Sequence, residues 1–162
     1  MMTAADLFLF LLLLGANGAP IATRHLLGER WRWPLDGGRL FVDQKPLFGS
    51  SKTVSGVVVA ILTCVFLALL FGYGWRAGFL VGSFAMLGDL FSSFIKRRMG
   101  MQPSAPALLL DQVPESLFPL LAIAPLFELS WMKLVLLTLA FVIASFLLSR
   151  LAYHLGIRRH PY

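Results

Sequence analysis

The sequence predicts an all-α, polytopic integral membrane protein with about five transmembrane helices and a site formed by cytoplasmic loops. Three observations predict this. Hydrophobic residues make up 58% of the chain and charged residues only 14%, with a mean hydropathy of +0.79, whereas soluble proteins carry roughly a quarter charged residues. Apolar runs close to membrane-crossing length recur along the chain. The Lys and Arg residues gather between those runs. At 162 residues the chain reads as one membrane-embedded domain, 1–162, with no room for a separate soluble catalytic domain.

The first span, residues 4–22, has no Lys or Arg in residues 1–6 and is followed by positive charge. It therefore reads as an anchor, since a cleaved signal peptide needs a basic start. Asn17 and Pro20 interrupt its far end, and an Asn in a span seeks a partner, either a structural hydrogen bond or a ligand. The second span, 54–71, contains the lone Cys64, which excludes an intrachain disulfide and a Cys-based metal site and reads as a small core residue. Along the third, 75–95, Gly74, Gly78 and Gly82 recur every four residues, a spacing that lets helices approach closely. This stripe reads as packing, with a homodimer left open. Residues 116–127 are short and carry Pro119 and Pro125, yet omitting them would put the basic flanks on inconsistent sides. The last span is 131–151.

Sorting the fourteen Lys and Arg residues by loop gives an orientation. Arg24, Arg30, Arg32, Arg39, Lys45 and Lys52 lie between the first two spans, Lys96, Arg97 and Arg98 follow the third, and Arg150, Arg158 and Arg159 are in the tail. Only Arg76 and Lys133 fall on the other side. Cytoplasmic loops accumulate positive charge, so the amino terminus is expected outside and the carboxyl terminus in the cytoplasm. The same distribution accounts for the net charge of +6 and sets nucleic acid aside as a partner.

Glu29, Asp36, Asp43, Asp89, Asp111 and Glu115 all fall in or beside the cytoplasmic segments, so chemistry is expected there. Asp89 is the sharpest signal. An ionisable group within an apolar run is costly unless it faces a cavity, an ion or a partner. Helical spacing places Ser92 or Ser93 and then Lys96 near its face. A carboxylate below and an ammonium above suit a metal-bound polyphosphate. Asp111 and Glu115 lie four residues apart near a helix start and are expected to share a divalent ion with Asp89, the competing reading being dipole capping.

The segment Gly49-Ser50-Ser51-Lys52-Thr53 lacks the first glycine and the preceding strand of a phosphate-binding P-loop, so that motif is rejected. At a helix amino terminus, its N–H groups, hydroxyls and Lys still suit phosphate oxygens. A helix cap with a snorkelling Lys is the plainer alternative. Lys96-Arg97-Arg98 alone would satisfy topology and attract anionic lipid without any site. A non-enzymatic transporter or scaffold subunit would place polar residues in the outer halves of several spans, but little stands there beyond Asp6, Thr63 and Thr138.

Taken together, Asn17 with Pro20, Pro34-Leu35-Asp36-Gly37-Gly38 through Asp43, Gly49 through Thr53 with Gly56, and Gly88-Asp89-Leu90-Phe91-Ser92-Ser93-Phe94-Ile95-Lys96-Arg97-Arg98 leading to Asp111-Gln112 resemble the CDP-archaeol synthase family, relatives of phosphatidate cytidylyltransferase. The resemblance implies a Mg²⁺-dependent reaction of CTP with a lipid phosphate to give a CDP-lipid and pyrophosphate. It implies that Asp89 and Asp111 bind metal, and that Lys52, Lys96 and Arg97 face CTP and the lipid phosphate. Asn17, Asp36, Ser51, Thr53 and Ser93 would fall on the nucleotide side, and Asp89, Lys96 and Asp111 would be the catalytic set. The family commonly reads Asp-Gln-Leu-Asp, whereas here the second acid is displaced to Glu115. The His-Gly-Gly and Asp-Arg elements of the phosphatidate enzymes are missing. Phosphatidate and polyprenyl phosphate remain alternative lipids, because apolar grooves that read lipid tails leave no motif. The expected partners are CTP, a lipid phosphate and membrane lipid.

Overall fold

The computed structural model describes residues 3–27, 33–103, 105, 107 and 109–154. Glu29, Arg30, Arg32, Arg158 and Arg159, used above to assign charge to loops, lie outside the described residues, as does the side chain of Arg24. The regular elements among the described residues are helices α1 (Ala4–Leu27), α2 (Val54–Leu70), α3 (Trp75–Arg98), α4 (Gln112–Phe127) and α5 (Trp131–His154).

All five predicted runs are helices, but they are unequal. Helices α1, α3 and α5 are long and apolar enough to cross a membrane. Helices α2 and α4 have 17 and 16 residues, fewer than the roughly 20 that a full crossing takes. The expected count of about five helices, with a short one at 116–127, is met by three helices of membrane-crossing length and two shorter apolar ones.

Helix α3 is central, packed against α2 on one side and α4 on the other, and its small residues allow this. A Cβ at Gly78 would fall on the Cys64 carbonyl and one at Gly82 on Ile61, so most of the glycine stripe is used against α2 within the chain. A Cβ at Gly88 would fall on the Pro114 carbonyl, which sets the crossing with α4. Leu9, Leu12, Val81, Leu120, Ile123 and Phe141 close the core. Cys64 is buried there as a small core residue, its thiol 3.6 Å from the Leu12 carbonyl. Leu62, Phe66, Leu139, Ile143 and Leu147 stand exposed on α2 and α5, as a lipid-facing surface requires.

The two ends of the bundle are built differently. At the start of α1, Thr3 and Asp6 cap each other, and Asp6 accepts from Lys133 at the start of α5, 2.9 Å away. Phe8, Tyr73 and Phe127 stack beside them. The opposite end holds the loop between α1 and α2, the basic end of α3 and the start of α4.

Candidate functional site

The loop over residues 33–53 is an ordered hairpin. Leu35 donates to the Lys52 carbonyl and Val54 to the Trp33 carbonyl, while Phe41 donates to Lys45 and Leu47 to Arg39. Asp36 organises it. Its carboxylate accepts the backbone N–H groups of Gly38, Phe48 and Gly49 at 2.9–3.0 Å. Burial works to raise its pKa, but those three donors outweigh burial and hold it below the ordinary Asp value of 3.8. Gly37 and Gly38 (φ 56° and 77°) make the turn that brings the donors round. Thr53 caps α2, its hydroxyl accepting the Gly56 N–H at 3.2 Å. The structure thus gives Asp36 and Thr53, both expected on the nucleotide side, work within the protein's own framework.

This framework delivers Lys52 to Asp89. The ammonium reaches both carboxylate oxygens, at 2.5 and 2.6 Å, nine residues before the end of α3 and so roughly 13 Å down its axis. Burial works against the Lys52 charge, but Asp89 and, behind it, Glu115 hold its pKa above the usual lysine value of 10.5. The carboxyl groups of Asp89 and Glu115 adjoin. Glu115 also accepts the Asn17 side-chain amide at 2.8 Å. Asn17 therefore finds its partner within the chain and ties α1 to α4.

About two turns above on α3, Lys96 pairs with Asp111 at 2.7 Å and donates to the Ala105 carbonyl at 3.1 Å. Arg97 is 3% exposed. One of its terminal nitrogens donates to the Gln102 carbonyl at 2.9 Å, while Nε and Nη1 have no protein partner. Nη1 lies beside Gly49, as does Pro103. A buried guanidinium with two unpaired nitrogens suits a phosphate oxygen. Ser93 is buried on the same part of α3, while Ser92 bonds back to the Gly88 carbonyl. Ser51 is half-buried beside Lys52.

The expected metal set is only partly brought together. Asp89 and Glu115 adjoin, and Asp111 is turned to Lys96. Among the described residues no three His, Cys, Asp or Glu side chains cluster as a metal cage. Two adjoining carboxylates nevertheless fit a hard cation, and Mg²⁺ is usually held by one or two carboxylates with substrate phosphates completing the shell.

Sequence reasoning missed the role of Arg98, which it read as a topology or lipid-attracting charge. Its guanidinium bonds Asp43 at 2.9 Å and the carbonyls of Lys45 and Pro46, between the rings of Phe41 and Phe94. Lys45 returns a bond to the Arg98 carbonyl at 2.9 Å. The signal was available as an Asp-X-Lys-Pro turn with an Arg after an aromatic, but nothing fixed its register against α3.

Fold and site together define a helical integral membrane protein whose one end gathers acids and cations inside the apolar bundle. The comparisons narrow this class. A family model described as CarS-like, CDP-archaeol synthase, matches residues 74–162. A Pyrobaculum islandicum CDP-archaeol synthase is 32% identical over 97% of this chain and 99% of its own length. Those of Thermofilum pendens and Hyperthermus butylicus are 39% and 40% identical over 60% and 62% of this chain. Those two alignments take in only 50% and 60% of the relatives' lengths. A solved intramembrane enzyme for archaeal membrane lipid biosynthesis superposes with a TM-score of 0.66 at 27% identity, over 86% of this chain and 91% of that one. This chain belongs to the CDP-archaeol synthase family.

Proposed function

We propose that the protein transfers the cytidylyl group of CTP to a lipid phosphate, giving pyrophosphate and a CDP-activated lipid of the CDP-archaeol type. The observation that carries this reading is the meeting of Lys52–Asp89, Lys96–Asp111 and the two unpaired nitrogens of Arg97 at one end of α3.

A lipid phosphate oxygen attacks the α-phosphorus of CTP in line; the bond to the β-phosphate oxygen breaks, and pyrophosphate leaves with that electron pair. Such transfer depends on positioning and charge stabilisation and needs no covalent nucleophile. Lys52, Lys96 and Arg97 supply the positive charge for the phosphate oxygens. Asp89 and Glu115 are the groups that would hold Mg²⁺, with Asp111 the further candidate, and the ion would neutralise charge on the triphosphate. Asn17 fixes Glu115, Asp36 and Thr53 fix the segment that carries Lys52, and Ser51 and Ser93 line its surroundings. The site's groups all come from one chain, so a homodimer is not required for it. The positive charge of the loops supports a site at the cytoplasmic face, with the amino terminus outside.

The test is pyrophosphate release from CTP by the purified protein with Mg²⁺ and an archaeal ether-lipid phosphate, compared with phosphatidate and polyprenyl phosphate. Asp89→Asn is expected to abolish it. Full activity in that variant would falsify the site assignment.

A further inference from the structure

The two acid–lysine pairs carry an inference about how the site loads, one that rests on the cytidylyl-transfer reading. Lys52 holds both oxygens of Asp89, and Lys96 holds one oxygen of Asp111. These side chains are poorly hydrated, at 21% and 16% exposure in the first pair and 7% and 23% in the second. In the proposed reaction each acid is wanted by a cation and each lysine by a phosphate, so both pairs must exchange partners.

Either ligand arriving alone does this badly. A divalent ion taking Asp89 displaces the Lys52 ammonium and leaves it beside a dication, inside a bundle where charges are weakly screened. A triphosphate taking Lys52 leaves Asp89 without its counter-ion and in contact with Glu115, where two carboxylates repel. When both arrive, the cation takes the acids, the phosphates take the lysines and the unpaired Arg97 nitrogens, and no charge is stranded.

We propose that Lys52 and Lys96 are exchangeable counter-ions that make divalent-cation and nucleotide binding strongly cooperative. The lysines keep free cations off the acids, the acids keep free polyphosphate off the lysines, and the cation–nucleotide complex opens both pairs. By linkage, each ligand tightens the other by the same factor.

The experiment is equilibrium dialysis of the purified full chain in detergent, with Mn²⁺ as the probe, with and without CTP and without lipid. Mn²⁺·CTP crosses the dialysis membrane freely, so any excess on the protein side is bound. In the wild type, CTP is expected to tighten Mn²⁺ retention by about tenfold or more. Lys52→Met is expected to bind Mn²⁺ alone about tenfold more tightly than wild type and to lose most of the CTP effect. Lys96→Met should move the same way, which keeps the test open should the first variant misfold. Lys52→Arg retains the charge and should still exclude free Mn²⁺.

The proposal is overturned if wild type binds Mn²⁺ equally with and without CTP, or if both Met variants leave free Mn²⁺ binding unchanged. Unresponsive variants in a protein that still shows the CTP effect defeat the exchange alone and leave the transferase reading standing. A wild type that retains neither CTP nor Mn²⁺·CTP, while Lys52→Met gains Mn²⁺, removes the nucleotide reading and the coupling with it.

Discussion

Replacing Arg98 with Ala tests whether the loop that carries Lys52 is held in place from outside the site. The side chain donates to the Lys45 and Pro46 carbonyls, and charge-assisted bonds of this kind contribute about 1.5 kcal/mol each. Its ion pair with Asp43 is more exposed, at 21% and 38%, and contributes about 0.5 kcal/mol after screening. The Phe41 and Phe94 rings, each 4.8 Å from the guanidinium carbon, add about 0.5 kcal/mol apiece. Neighbouring terms do not add cleanly, so about 3 kcal/mol is a fair figure for loop docking, or roughly a hundredfold in the docking equilibrium. The loop carries Lys52 and Gly49, so a looser loop lowers the fraction of protein competent for nucleotide, and KM for CTP is expected to rise about tenfold or more. Saturating CTP redocks the loop, so kcat should stay within about threefold of wild type. Hydrogen exchange supplies the second readout, with the Phe41 and Leu47 amides, which bond inside the hairpin, losing protection. Arg98→Lys keeps the charge but not the fork and should fall between. Wild-type KM together with unchanged protection in Arg98→Ala would refute the clasp.

Other perturbations separate framework from site. Gly88→Ala sets a Cβ against the Pro114 carbonyl and should cost about 1–3 kcal/mol by thermal melting in detergent, whereas Gly18→Ala, with open space around it, should not. Equal melting temperatures would contradict the α3–α4 crossing. The Asp36 carboxylate, held below 3.8, contributes stability that is full above the unfolded value and lost as pH falls through the folded one. Exchange protection at Phe48 and Gly49, corrected for the intrinsic rate, should therefore drop below about pH 4, and Asp36→Asn should remove that dependence. Lys133→Met strands Asp6, which is 4% exposed, but Lys133 itself is 36% exposed, so a loss of only about 1 kcal/mol is expected. A variant as stable as wild type would mean that Thr3 alone satisfies Asp6.

What the sequence made legible follows from what is local in it. Apolar length located all five helices, and an ionisable residue inside an apolar run marked Asp89. Lys52 was not read as the partner of Asp89, because it lies 37 residues away in the chain and pairing across helices leaves no periodic trace. Asp36 and Thr53 show the limit clearly. An Asp before Gly-Gly and a Thr before an apolar run are visible as turn and cap residues, yet the Phe48 and Gly49 amides reach Asp36 only after the hairpin folds back twelve and thirteen residues. Arg98 reads as one more basic residue at a helix end, since its aromatic walls come from separate elements. Asn17 was left between a structural and a ligand role, and its partner, Glu115, lies 98 residues away in the chain.

The short helices α2 and α4 account for the depth of the site. A 24-residue helix such as α3 runs about 36 Å, while the 17 and 16 residues of α2 and α4 run about 26 and 24 Å. Because α2 starts at Val54, next to Lys52, its beginning must lie level with Asp89 for the ion pair to form. Helix α4 likewise begins beside α3, with Pro114 against Gly88 and Glu115 against Asp89. Both shortfalls therefore fall at the same end, where polar loop backbone descends into the bundle. Irregular backbone at membrane depth is tolerated where protein buries it or where it lines a polar cavity, and the Asp36 hairpin and the Arg98 clasp bury it here. Extending α2 by one turn at its amino end would lift Lys52 by about 5 Å and break its reach to Asp89. Helix length thus fixes the site as firmly as the identity of its residues.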